Sequence, residues 1–182
     1  MKWFAGLAFC LVVGLAYSEE DVAYLSNYYC YLDKVFQYKA NAELGGGWCQ
    51  HKPKIAKYQI QAAEECQTGF ADAARKYYDN LSVVCSVDLE KGLEGNCASE
   101  MFTDPGAECY LDYFTELKKT GTNTVDPVAR ERFLCKHFDK IMACHYKKIA
   151  QKCKKDYPVF LQVMDPYREL QHSICAILPS DS

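Results

Sequence analysis

The stretch from Asp126 to about Asp156 constrains the fold most strongly, because it has the pattern of one long amphipathic helix. Asp126 is a good helix cap, and Pro127 follows it at the position where a helix tolerates proline best. No glycine or proline interrupts the stretch before Pro158. At 100° per residue its apolar side chains share one face. These are Leu134, Phe138, Ile141, Met142, His145 and Ile149.

Three cysteines recur along this predicted helix at nine-residue intervals, namely Cys135, Cys144 and Cys153. Nine residues are two and a half helical turns, so Cys135 and Cys153 lie on one flank of the apolar face. Cys144 lies on the opposite flank. We therefore expect the helix to be linked by disulfides to neighbours on both sides.

The N-terminus has the pattern of a secretory signal peptide. Lys2 precedes an apolar run over residues 3–15, and Ala16-Tyr17-Ser18 then leads into acidic residues. The run is shorter than the roughly 20 residues that span a membrane. We predict a signal peptide over 1–18, with cleavage after Ser18 or alternatively after Ala16. The remaining residues, 19–182, are predicted to form one secreted, extracellular domain without stable membrane insertion.

Removal of the signal peptide removes Cys10 and leaves an even number of cysteines, which in an exported chain predicts five disulfides. The ten cysteines are Cys30, Cys49, Cys66, Cys85, Cys97, Cys109, Cys135, Cys144, Cys153 and Cys175. Their connectivity cannot be deduced from the sequence, since even eight cysteines allow 105 pairings.

Helical patterns extend over most of the chain, and the best strand candidate, 81–87, is short. Predicted helices cover 19–44, Pro53 to about Asp79, 81–93, 107–119, 126–156 and a last helix that Asp165-Pro166 begins and that ends near Ile177. Small residues on one face of the second helix, Gly69 among them, favour close helix packing. The predicted fold is all-α, a disulfide-linked bundle of six or seven helices.

The first predicted helix has two apolar stripes, which leaves two interpretations open. One stripe comprises Val22, Leu25, Tyr29, Leu32 and Phe36, and the other comprises Tyr24, Tyr28, Tyr31, Val35 and Tyr38. Aromatic stripes are usually core, so both can be buried. Alternatively the tyrosine stripe is exposed and binds a partner, because tyrosine gives a large contact area at low entropy cost. The candidate partner-binding residues are Tyr24, Tyr28, Tyr31 and Tyr38.

The sequence has no recognisable catalytic or calcium-binding motif. Histidines and cysteines lack the short spacings of zinc sites, so we expect no metal, no cofactor and no enzymatic activity. A formal net charge of -3 argues against binding to nucleic acid. Asn80-Leu81-Ser82 is a glycosylation sequon, which makes Asn80 a candidate glycan site.

The spacing of Cys135, Cys144 and Cys153 resembles that of the last three cysteines of insect odorant-binding proteins, in which helices surround an apolar ligand cavity. The whole layout of signal peptide, helical domain, ten cysteines and one sequon is similar to the 27-kilodalton haemolymph glycoproteins of arthropods and to cysteine-rich helical venom proteins. The resemblance implies a haemolymph or venom component.

Two functional hypotheses follow. The first is a secreted, non-enzymatic interaction protein that binds an extracellular protein partner through the tyrosine stripe. The second is a carrier of small apolar ligands, with a cavity lined by Phe138, Ile141, Met142 and His145.

Overall fold

The computed structural model describes residues 19–42, 48–86, 105–119, 126–154 and 157–178. They form six helices, and no strand occurs within these ranges. The helices are α1 (Glu19–Ala40), α2 (Trp48–Glu65), α3 (Ala71–Val84), α4 (Pro105–Lys119), α5 (Pro127–Cys153) and α6 (Tyr157–Ile177). The prediction of an all-α, disulfide-linked bundle is confirmed. The predicted signal peptide and Cys97 lie outside the described residues.

Helix α5 begins as the sequence predicts. Asp126 is its N-cap and accepts a hydrogen bond from the Val128 amide at 2.9 Å, and Pro127 occupies the first turn. Of the predicted apolar face, Leu134 is half-buried and the other five residues are buried. The helix ends at Cys153, because Lys154 has a φ of 33° that no α-helix accommodates.

The long second helix predicted over 53–79 is wrong, since a turn at 66–70 divides it into α2 and α3. Gln67 has a φ of 51°, its amide bonds to the Glu64 carbonyl, and the Thr68 amide bonds to the Ala63 carbonyl. This pattern is a Schellman cap, which ends a helix at a left-handed residue. Gly69 follows with a φ of 83°, so it serves the turn and not helix packing.

Two prolines predicted to begin helices lie inside them instead. Pro53 is within α2, which begins at Trp48, and Pro166 is within α6, which begins at Tyr157. Asp165 does not cap a helix. Its carboxylate accepts a hydrogen bond from the Tyr146 hydroxyl of α5 at 2.5 Å. Tertiary packing therefore outweighs the lost backbone hydrogen bond that each internal proline entails.

Four disulfides join consecutive helices. The bond Cys30–Cys66 joins α1 to the C-terminal end of α2, and Cys49–Cys85 joins the N-terminal end of α2 to the end of α3. The bond Cys109–Cys144 joins α4 to α5, and Cys135–Cys175 joins α5 to α6. Cys153 is also disulfide-bonded. The predicted linkage of α5 on both flanks is confirmed by Cys135 and Cys144.

The largest core cluster lies between α1, α2, α3 and α6, where Phe70 and Leu81 are almost fully buried. A second cluster lies between α5 and α6, around Phe138 and Met164. A third lies between α4 and α5, around Tyr113. Helix α1 packs mainly on α2, with a smaller contact to α6, so much of its surface faces away from the protein.

Candidate functional site

The tyrosine stripe predicted as an exposed partner-binding surface is largely buried. Tyr28 and Tyr31 are only 2% and 4% exposed and belong to the main core. The expectation that the four tyrosines form one exposed surface is therefore wrong. The other interpretation, in which aromatic residues of this stripe fill the core, holds for these two.

Hydrogen bonds allow the hydroxyl groups of Tyr28 and Tyr31 to be buried in the core. Tyr28 donates to the Glu131 carboxylate of α5, and burial together with this carboxylate raises the pKa of Tyr28. Tyr31 is hydrogen-bonded to Gln59 and meets Phe70 edge-to-face, with ring centroids 4.9 Å apart. Burial raises the pKa of Tyr31 to about 12. Both phenols are therefore neutral structural groups.

The two remaining tyrosines of the stripe lie outside the buried core. Tyr24 is exposed. Tyr38 is half-buried and donates a hydrogen bond to Glu65 at 2.6 Å, and Lys34 pairs with the same carboxylate at 3.0 Å. Hydrogen bonds from Tyr38, Lys34 and Gln61 lower the pKa of Glu65 to about 2. This surface cluster connects α1 to α2.

Most of the exposed apolar surface of α1 belongs to the other stripe. Val22, Tyr29 and Phe36 are 56%, 47% and 73% exposed, and successive members are seven residues apart. Seven residues advance an α-helix by almost two turns, so the three side chains form a row about 21 Å long. We call them the α1 row. Leu25 and Leu32 flank it, half-buried against the core.

The sequence alone did not identify the α1 row, because both stripes of α1 are equally apolar. The tyrosine stripe is the buried one because of the residues that surround α1 in the folded chain. Tyr28 and Tyr31 find Glu131 and Gln59 as hydrogen-bond partners inside the bundle. Spacing does not separate the two stripes either, because the buried tyrosine stripe repeats at the same intervals of three and four residues as the α1 row and its flanks.

A partly buried polar network connects four helices around Glu131. This carboxylate accepts hydrogen bonds from Tyr28 of α1 and from Gln171 of α6. Beside it, Tyr110 of α4 is hydrogen-bonded to Tyr167 of α6, and the pKa of Tyr167 is raised well above its ordinary value by burial first of all. A satisfied network of this kind fixes one packing arrangement. It orients α1 relative to the C-terminal helices.

The residues predicted to line a ligand cavity divide between two packing clusters. Phe138 and Met142 pack toward α6, whereas Ile141 packs toward α4. His145 is buried beside the Tyr110 ring, with ring centroids 5.7 Å apart, and burial lowers the pKa of His145. The four side chains therefore do not surround one common space, and the carrier hypothesis stays a prediction without support from their arrangement.

No protein-family model matches this chain, and comparisons with curated proteins and with solved structures find no match.

The histidines take part in separate contacts. His137 pairs with Glu116 at 3.3 Å, and His172 pairs with Asp139 at 2.8 Å. Within the described ranges, no group of three or more histidine, cysteine or acidic side chains is arranged to hold a metal ion.

Two other features bear on compartment and modification. Among the described helices, none combines the length and apolarity needed to cross a bilayer.

Asn80 is half-buried within α3, and its amide nitrogen donates to the Lys76 carbonyl at 2.8 Å. Glycosylation at Asn80 stays a prediction.

Proposed function

We propose that this protein is a secreted, non-enzymatic interaction protein that binds an extracellular protein partner through the α1 row. The observation that carries the proposal is the exposure of Val22, Tyr29 and Phe36 in one line on the outer side of α1. Large apolar side chains exposed together are typical of interaction surfaces, whereas single ones are ordinary.

The spacing indicates the chemistry of the partner. Val22, Leu25, Tyr29, Leu32 and Phe36 follow one another at intervals of three and four residues. Two helices that pack side by side along a left-handed seam have this repeat. The partner that fits the α1 row is therefore an amphipathic helix whose apolar stripe covers the aromatic side chains of Tyr29 and Phe36.

The α1 row is held on a rigid scaffold. Cys30, beside Tyr29, is disulfide-bonded to Cys66, and the Asn27 side chain donates to the Gln67 carbonyl at 3.3 Å. The Tyr29 hydroxyl donates to the Asp126 carboxylate at 3.2 Å. A surface fixed before binding loses little conformational entropy in the complex, which favours affinity. The disulfides also fit an oxidising, extracellular compartment.

The test compares two double variants of the secreted protein. Val22→Ser with Phe36→Ser removes the ends of the α1 row, and Val83→Ser with Leu111→Ser removes equally exposed apolar side chains elsewhere. Both variants should retain wild-type thermal stability, because exposed substitutions change stability little. Each variant is then used to capture partner protein from extracellular fluid of the organism that produces it. The amount captured should fall at least about tenfold for the first variant only, as expected when anchor residues are lost.

Two results would contradict the proposal. One is capture that the α1-row variant leaves unchanged. The other is an equal loss in both variants, which would indicate nonspecific adhesion of apolar side chains.

A further inference from the structure

The disulfides of the two halves of the chain follow one pattern. In the N-terminal unit, α1 to α3, Cys30–Cys66 and Cys49–Cys85 alternate along the sequence. In the C-terminal unit, α4 to α6, Cys109–Cys144 and Cys135–Cys175 alternate in the same order, with Cys144 near the middle of α5 where Cys66 follows the end of α2. In each unit one disulfide joins the first helix to the second and the other joins the second to the third. None of these four disulfides connects the two units.

Short sequence matches accompany the matching disulfides. The second helices share Cys-x-His-x-x-Lys-Ile, at 49–55 in α2 and at 135–141 in α5. The third helices share tyrosine, an acidic residue, a β-branched residue and cysteine at the same spacing, over 77–85 and 167–175. The first helices share Cys-Tyr-Leu-Asp, at 30–33 and 109–112. Each match includes a cysteine of the common disulfide pattern.

Burial also corresponds between the units. When Tyr77 of α3 is aligned with Tyr167 of α6, the counterparts of the buried residues at 70–84 are also buried, apart from Tyr167, which is half-buried. Helix α6 buries Val163, Pro166 and Leu170 in addition. The corresponding pairs are Phe70 with Phe160, Ala74 with Met164, Leu81 with Gln171 and Val84 with Ile174. These shared positions recur at intervals of three, four and seven residues, so the alignment that superimposes the cysteines also superimposes one buried face of α3 on α6.

Equivalent residues meet where the two units touch. Helices α3 and α6 pack against each other in the main core, and the rings of Tyr77 and Tyr167 lie 5.6 Å apart. Nearby, Lys76 forms an ion pair with Glu169, which is the counterpart of Asp79. In a symmetric dimer, residues close to the two-fold axis contact their own equivalents. The contact between α3 and α6 has this property.

We infer that the chain is a tandem duplication of a disulfide-closed three-helix unit. The α3–α6 contact is a two-fold dimer interface that has been fused into one chain. The partner that this interface fits is a second copy of the unit. In a pair of N-terminal units, the counterpart of the Lys76–Glu169 ion pair is Lys76 with Asp79 of the other copy, so the charges remain complementary.

The test uses the full chain with residues 90–94 replaced by a site-specific protease sequence. The folded, secreted protein is cleaved there without denaturant or reductant and followed by native mass spectrometry. We expect the two halves to remain associated, and pairs of N-terminal halves to appear as partners exchange. Denaturation without reductant should then release two separate chains, each with its own disulfides.

Charge variants in the same cleavable chain identify the interface. Lys76→Glu should reduce the pairs of N-terminal halves severalfold, because residue 76 would then face Asp79 with like charge. Lys76→Glu combined with Asp79→Lys should restore them. The inference would be overturned if N-terminal halves never pair, if Lys76→Glu leaves their pairing unchanged, or if the unreduced halves remain covalently joined. These readouts do not involve the α1 row, so their outcome is independent of partner capture.

Discussion

Single residues decide which side of α1 faces the core. The sequence predicts a helix with two apolar stripes, but it does not show that the hydroxyl groups of Tyr28 and Tyr31 will form hydrogen bonds with Glu131 and Gln59. These partners are far apart in sequence and meet only in the folded chain. Burial of a tyrosine depends on such a partner, because an unsatisfied buried hydroxyl is costly.

Replacing Tyr28 by phenylalanine tests this explanation. The ring stays in the core, but its hydrogen bond to Glu131 is lost. The free energy of unfolding should fall by about 1.5–3 kcal/mol, as expected for a hydrogen bond to a charged group. Tyr29→Phe is the matched control, because the Tyr29 hydroxyl bonds the Asp126 carboxylate at an exposed site where water can replace it, so the loss should stay below about 1 kcal/mol. Equal losses in urea unfolding would contradict the buried network.

Burial of His145 predicts that the folded protein becomes less stable in acid. Burial lowers the pKa of His145 in the folded protein below the unfolded value of about 6.5, so the unfolded chain binds the proton more readily. Stability should therefore decrease as the pH falls below about 6.5. In His145→Gln, the loss of stability between pH 7.5 and 5.5 should be smaller than in the wild-type protein. Urea unfolding at both pH values checks this, and parallel profiles for the two proteins would contradict it.

At the scale of the helices, sequence signals predicted a helix end correctly where neighbouring residues alone determine that end. Asp126 and Pro127 correctly predicted the beginning of α5, because a cap and a first-turn proline act within a few residues. The same signals failed at Asp165-Pro166, where Tyr146 of another helix binds the carboxylate. The turn between α2 and α3 was missed because a glutamine, not a glycine, occupies the left-handed position.

Gln67 offers a direct test of that turn. A left-handed conformation is unfavourable for glutamine and easy for glycine, so Gln67→Gly should raise the free energy of unfolding by roughly 0.5–1 kcal/mol. Lys57→Gly is the control, since Lys57 is exposed within α2 and glycine there should cost about 1 kcal/mol. Thermal unfolding measures both. A loss of stability in Gln67→Gly would contradict the Schellman cap.

At the scale of the whole molecule, the fold class was predictable and the disulfide pairing was not. Helical periodicity, together with an even number of cysteines after the predicted signal peptide, indicated a disulfide-linked helical bundle. The pairing required knowledge of which helices are neighbours. The repeated Cys-x-His-x-x-Lys-Ile at 49–55 and 135–141 was available in the sequence as a sign of two equivalent units. Recognising it would have reduced the number of plausible pairings.

The organisation of the molecule also explains how it can present a binding surface. Two disulfides close the N-terminal unit, and the network around Glu131 orients α1 against the C-terminal unit. Val22 and Phe36 on the outer side of α1 are exposed, and Tyr29 contacts Asp126 through its hydroxyl group, so these three side chains contribute little to the apolar core. We expect selection for partner binding to act on Val22, Tyr29 and Phe36.

Peptide mapping of the unreduced protein from culture medium tests the central claim that two separately closed helical units support α1. The predicted result is linkage of Cys30 to Cys66, Cys49 to Cys85, Cys109 to Cys144 and Cys135 to Cys175. Cys153 should also be oxidised, and no free thiol should remain. A disulfide between a cysteine at 30–85 and one at 109–175, or several free thiols in the secreted protein, would contradict the account.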